Sequence, residues 1–144
     1  MKQQIEPAYA TFEQAKKLKE LGLLVKSDKY WVMMTKDEYT EMSDVQLDDL
    51  DHSVGIGGNL IIAKYQQWQI VEWLRINHGI HVEVSCYVYG ELWYANLNVC
   101  SKEVWEDEDK RHNILTAYHK FNNGHKSKKE AYSAAFDHIL NKLI

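Results

Sequence analysis

The stretch from His81 to Cys100 constrains this chain more than any other, because it alternates, turns and alternates again. Val82, Val84, Cys86 and Val88 alternate with Glu83, Ser85, Tyr87 and Tyr89, and Leu92 to Val99 continues in the same way. Such alternation sends successive side chains to opposite sides of a strand and predicts an antiparallel hairpin with one apolar face. Gly90-Glu91 between the runs reads as a tight turn with glycine in its first position, which sets Tyr89 opposite Leu92. Val88 then pairs with Trp93, Cys86 with Ala95, Val84 with Leu97 and Val82 with Val99. On the other face Tyr87 is expected opposite Tyr94, Ser85 opposite Asn96, Glu83 opposite Asn98 and His81 opposite Cys100. Cys86 and Cys100 fall on opposite faces, so no disulfide between them is expected.

Helices flank this hairpin. Thr11-x-x-Gln14 is a capping box, Phe12, Ala15, Leu18 and Leu21 share the face that follows, and Gly22 supplies the stop. A second helix is predicted from about Gln66 to His78, with Gln67, Ile70, Val71, Leu74 and His78 on one face, Trp68 and Ile76 outside it, and Gly79 as its end. Ser127-x-x-Glu130 opens a last helix whose buried stripe is Tyr132, Ala135, Phe136, Ile139 and Leu143. A short strand is expected around Tyr30 to Thr35. Asn113 to Phe121 fits both periods and is read as a strand. The fold class is therefore α+β: an antiparallel hairpin or three-stranded sheet flanked by helices, α-β-β-(β)-α, behind an N-terminal helix-strand segment.

A chain of 144 residues, 45% of them apolar, suffices for a single domain with its own core. Asp37 to Asp51 holds seven acids and no Lys or Arg, with Ser43 and Gln46 spaced to cap a brief helix. Gly55, Gly57 and Gly58 make Asp51 to Asn59 the expected flexible connection and subdomain boundary. The beginning of the chain lacks the apolar stretch of a signal peptide and no run approaches a membrane span, so a cytoplasmic location and no membrane partner are expected. Two cysteines fit a reducing compartment. The net charge of −4 excludes a uniformly basic coat for DNA packaging, yet it conceals segregation. Lys110 to Lys129 holds six Lys and Arg with no acid, while Glu103 to Asp109 holds five acids.

Thr11 to Gly22 (TFEQAKKLKELG), Gln69 to Ile80 (QIVEWLRINHGI) and Glu130 to Ile144 (EAYSAAFDHILNKLI) resemble a group of short proteins from Bacteroidetes genomes and their phages or mobile elements. The resemblance implies a bacterial or phage origin and carries over no catalytic residue. Gly124 to Ala135 (GHKSKKEAYSAA) is similar to the start of the last helix in double-stranded RNA-binding domains. That likeness implies Lys128 and Lys129 as phosphate contacts, Lys126 as an added charge, and Ala131, Ala134 and Ala135 as close-packing residues. The chain departs from the pattern at Tyr132, where a further lysine is usual, and at Gly90-Glu91, which is too short for the minor-groove loop. The bland alternative is a capped helix with solvated lysines.

The remaining candidates are sparse. His81 opposite Cys100, with His78 nearby, offers a weak metal trio or a thiol with its base, against an incidental polar pairing on a sheet face. His112, His119, His125 and His138 lack metal-ligand spacing, Asp48, Asp49 and Asp51 lack the rest of a calcium loop, and Gly55-x-Gly57-Gly58 is not a dinucleotide fingerprint. Tyr87, Tyr89, Leu92 and Tyr94 share one face near the hairpin tip, and are either covered by the N-terminal segment or exposed as a binding patch. No coherent acid and base set is present. The expected function is thus a non-enzymatic binding or interaction module without cofactor, acting on a protein partner or on itself. A structured-RNA or nucleic-acid binder using Lys126, Lys128 and Lys129 is the alternative, and a thiol or metal-dependent enzyme comes third.

Overall fold

Thr11 begins the first helix by the reciprocal bonding that its spacing predicts. The Gln14 amide donates to Thr11 Oγ1 at 3.2 Å, and the Thr11 amide donates to Gln14 Oε1 at 3.1 Å. The computed structural model describes residues 7–33, 38–43, 61–87, 89, 91–121 and 123–144, which fall into two compact units divided between Gln66 and Gln67. In the first unit, helix α1 (Phe12–Glu20) buries Gln14, Ala15 and Leu18, and Leu21 is exposed rather than on the buried face. Gly22, at φ +99°, ends it: the Gly22 amide donates to Lys19 O, and the Leu23 amide donates back to Leu18 O. This pair of bonds satisfies carbonyls that the helix end would leave open, and it brings the apolar Leu23 and Leu18 together in the core.

The expected strand around Tyr30 is β1 (Lys29–Met33), and Thr35 lies outside the described residues. It is the centre of an antiparallel sheet ordered β2-β1-β3, with β2 (Tyr39–Ser43) and β3 (Ile61–Ala63) at its sides. Val32, Trp31 and Ile62 are buried, as β-branched and aromatic side chains in a half-covered sheet should be. Strand β2 comes from the acidic stretch, where the spacing of Ser43 and Gln46 predicts a helix. Ser43 ends β2 opposite Lys29, and the brief helix that would follow it lies outside the described residues. The strand holds because its neighbours complement it: the Tyr39 ring stacks on Phe12 at 4.2 Å, and Glu41 pairs with Lys64. Residues 51–59, the expected connection, also lie outside the described residues.

The second unit opens with α2 (Gln67–His78), which buries Gln67, Ile70 and Leu74 and leaves Trp68 and Ile76 exposed. Gly79 at φ +64° turns the chain into β4 (Ile80–Tyr87), which pairs antiparallel with β5 (Leu92–Val99). Helices α3 (Lys102–Glu106) and α4 (Glu108–Leu115) follow, then the single turn α5 (Tyr118–Phe121). The predicted strand over 113–121 is instead the end of α4, a turn at 116–117 and the single turn α5. Two one-sided caps explain why: Ser101 Oγ accepts from the Val104 amide, and an Asp107 carboxylate oxygen accepts from the Lys110 amide. Neither cap has Glu or Gln as its third following residue, so neither shows the box signature, while Glu103, Glu108 and Asp109 sit where helix dipoles favour acids.

The bracketed third β element lies elsewhere. His125 bridges Trp93 by paired backbone bonds of 2.8 and 2.9 Å, which satisfies part of the free edge of β5. Helix α6 (Lys128–His138) then packs on both β4 and β5, burying Ala131, Ala135 and Phe136, and the chain ends in a π turn over Ile139–Leu143. The Glu130 amide donates to Ser127 Oγ, but the Glu130 carboxylate accepts from the Lys126 amide, one residue before the cap.

Candidate functional site

The hairpin register decides which side chains meet. Tyr87, not Tyr89, lies opposite Leu92, and the ladder continues with Cys86 by Trp93, Ser85 by Tyr94, Val84 by Ala95, Glu83 by Asn96, Val82 by Leu97, His81 by Asn98 and Ile80 by Val99. The register set by a Gly90-Glu91 turn is thus wrong by two residues; Gly90 itself lies outside the described residues. A slip of two keeps every side chain on its face, so alternation cannot detect it. What favours the observed ladder is Ile80, which gains Val99 as partner and is almost fully buried together with Val82, Ala95 and Leu97.

The slip dismantles the proposed thiol pair. His81 faces Asn98, while the Cys100 amide bonds Gly79 O and its thiol lies 3.8 Å from Arg75 O. His78 sits against the Trp73 ring at 4.7 Å. Among the described residues, no group of three or more His, Cys, Asp or Glu is placed to hold a metal ion, so the trio of His78, His81 and Cys100 is not gathered into one. Cys86 and Cys100 are free and exposed.

The tip of the hairpin carries the aromatic residues. Tyr87 is 54% exposed and Tyr89 fully exposed, while Leu92 and Tyr94 are half-buried. The Tyr87 and Tyr94 rings meet edge to face, with centroids 5.1 Å apart. Tyr89 holds φ 54°, a left-handed conformation that favours Gly or Asn and costs other residues roughly 1–2 kcal/mol. Neither burial nor backbone preference accounts for a tyrosine at this position.

Sequence reasoning treated the lysines as a separate candidate, and the tertiary structure brings the segment that leads into them, at His125, to the edge of β5. His125 is bridged antiparallel to Trp93, the residue after Leu92, and Lys126 follows it in the chain; Leu92 is itself paired with Tyr87. Gly124 lies on the other side of the bridge, where a Cβ would stand 3.3 Å from both Leu92 Cδ2 and Tyr94 Oη. Lys126, Lys128 and Lys129 are exposed, and the Lys128 ammonium lies 5.9 Å from the centre of the Tyr132 ring. The signal that would have joined the two candidates is the His125–Trp93 bridge, which has no local sequence mark.

Two histidines of this unit give it a pH dependence. Burial holds His78 below the ordinary imidazole range; burial first, then the charges of Lys142 and Lys120, do the same for His138. The folded unit therefore binds fewer protons than the unfolded chain. Their contribution is complete above about pH 6.5 and is lost as pH falls through that value toward the lower folded pKa. Urea titrations at about pH 7.5 and about pH 5.5 should show a smaller acid-induced loss in a His78→Gln/His138→Gln variant than in the parent. Equal losses in the two proteins contradict this account.

Comparison of the chain with protein-family models, with curated proteins and with solved structures finds no match. Among the described residues, no helix is long and apolar enough to cross a membrane.

Proposed function

We propose that this chain is a non-enzymatic binding module whose contact face is the hairpin tip. The observation that carries the reading is the exposure of Tyr89 and of Tyr87, whose ring meets that of the half-buried Tyr94. Folding rewards an aromatic ring for leaving water, and these rings stay in it. An amphipathic ring with few rotatable bonds loses little entropy on contact with a ligand, which is why tyrosines recur as anchors at binding surfaces. Helix caps, the covered apolar face and the bridged edge of β5 supply a rigid base for such a tip.

A differential retention experiment tests this. The immobilised full chain, a Tyr87→Ser/Tyr89→Ser variant and an Ile76→Ser control are exposed to the same bacterial lysate, and sedimentation of each at several concentrations reads self-association. A species, or a self-association, present in the parent and control but lost in the tyrosine variant supports the tip as the contact face. Retention that is identical in all three proteins, with the same sedimentation behaviour, overturns it.

A further inference from the structure

We infer that the hairpin tip takes single-stranded nucleic acid, with bases stacked on Tyr87 and Tyr89 and phosphates held by Lys126, Lys128 and Lys129. This rests on the reading of the tip as the binding face and adds the class of ligand. Single-strand binders combine ring platforms for base faces with a basic track for the backbone. Tyr87 pairs with Leu92, and the segment that leads into the lysines reaches the same end of β5 through the bridge from His125 to Trp93, the residue after Leu92. Rings on the tip and lysines on the adjoining segment address the base side and the backbone side of one strand.

Charge favours this ligand over a protein. Lys126, Lys128 and Lys129 end a run from Lys110 with six Lys and Arg and no acid. The acids next to the site in sequence are Glu91 and Glu130, and the Glu130 carboxylate is engaged by the Lys126 amide. Lysine ammonium groups are strongly hydrated and depleted from protein interfaces, whereas phosphates accept them as point charges. Exposed rings favour single strands over duplex, because in a duplex the base faces are already stacked. Three helices stand between β5 and the single-residue bridge at His125, so no full third strand stands where a likeness to duplex-RNA domains implies one.

Fluorescence anisotropy of the full chain with labelled oligodeoxythymidine and oligouridine of about 12 nucleotides tests the inference. Binding should weaken with salt between about 20 and 200 mM, with a log–log slope of about −2 for three phosphate contacts. Tyr87→Ala and Tyr89→Ala should each weaken binding roughly 5- to 100-fold, and Lys126→Glu/Lys128→Glu should flatten the salt slope. Lys16→Glu and Ile76→Ala, exposed and away from the tip in sequence, should bind as the parent does. Tighter binding of one oligonucleotide assigns RNA or DNA as the source of the shared chemistry. Overturning results are no binding at the lowest salt, a duplex bound as tightly as either strand, or equal losses in the control variants. If no oligonucleotide binds while the tyrosine variant still loses a protein partner or self-association, this inference fails and the binding face stands. If the tyrosine variant differs from the parent in neither experiment, both fail.

Discussion

Replacing Phe136 with alanine should remove about 3–5 kcal/mol from the stability of the unit that begins at Gln67, the cost typical of emptying a fully buried aromatic site. Phe136 has no exposed surface, and it lies on the face of α6 that packs against both strands of the hairpin. Its ring is 5.9 Å from that of Tyr132, and Ile139 and Leu140 continue the same buried stripe. Domains of this size are stable by only about 5–15 kcal/mol, so the loss takes a large share of what holds the unit together. Hydrogen exchange at the amides of β4 and β5 reads it directly. Protection should fall by orders of magnitude in Phe136→Ala and by less in Phe136→Leu, which keeps most of the apolar volume. A Phe136→Ala protein within about 1 kcal/mol of the parent would mean that this stripe is not the core.

Gly79→Ala should be nearly as damaging, for two separable reasons. The position has φ +64°, which costs a residue with a Cβ roughly 1–2 kcal/mol. The added Cβ would also stand 2.5 Å from Ser101 Cβ and 3.1 Å from Val104 Cγ2, a clash that repacking relieves at about 1–3 kcal/mol. Together these come to about 2–5 kcal/mol. Gly22, at φ +99° with nothing within 4 Å of its would-be Cβ, should show the conformational part alone. Ser101→Gly in the Gly79→Ala background should restore part of the loss, measured as a double-mutant cycle by denaturant titration. If Ser101→Gly restores nothing, the close approach is not what makes glycine necessary.

Legibility tracked the range of the interaction. The caps of α1 and α6, the glycine stops after α1 and α2, and the faces of the hairpin all rest on neighbours within a few residues, and each is found where the spacing places it. The Glu130 carboxylate is a partial exception, since it bonds the Lys126 amide rather than that of the cap residue. Strand β2 was not legible, because its acids hide a segment stabilised by Lys29–Met33, Phe12 and Lys64 from elsewhere in the chain. Residues 113–121 were misread because an apolar pattern that fits both periods has no local arbiter. Of the candidate site, the tyrosines and the lysines were each visible, and the bridge that ties the segment before the lysines to β5 was not.

By itself, the sequence determined which elements form at the ends of the chain, that a hairpin follows α2, and which of the hairpin's side chains share a face. These are consequences of backbone period and of caps satisfied within one turn. Only the tertiary structure decided the register of that hairpin, because a two-residue slip preserves every face and is settled by burying Ile80 against Val99. The same register moved His81 away from Cys100. The bridge from His125 to Trp93 then brought the segment before α6 to the edge of β5, where it satisfies backbone groups that the two-stranded sheet leaves open. No spacing rule links residues that are neighbours only through such an edge.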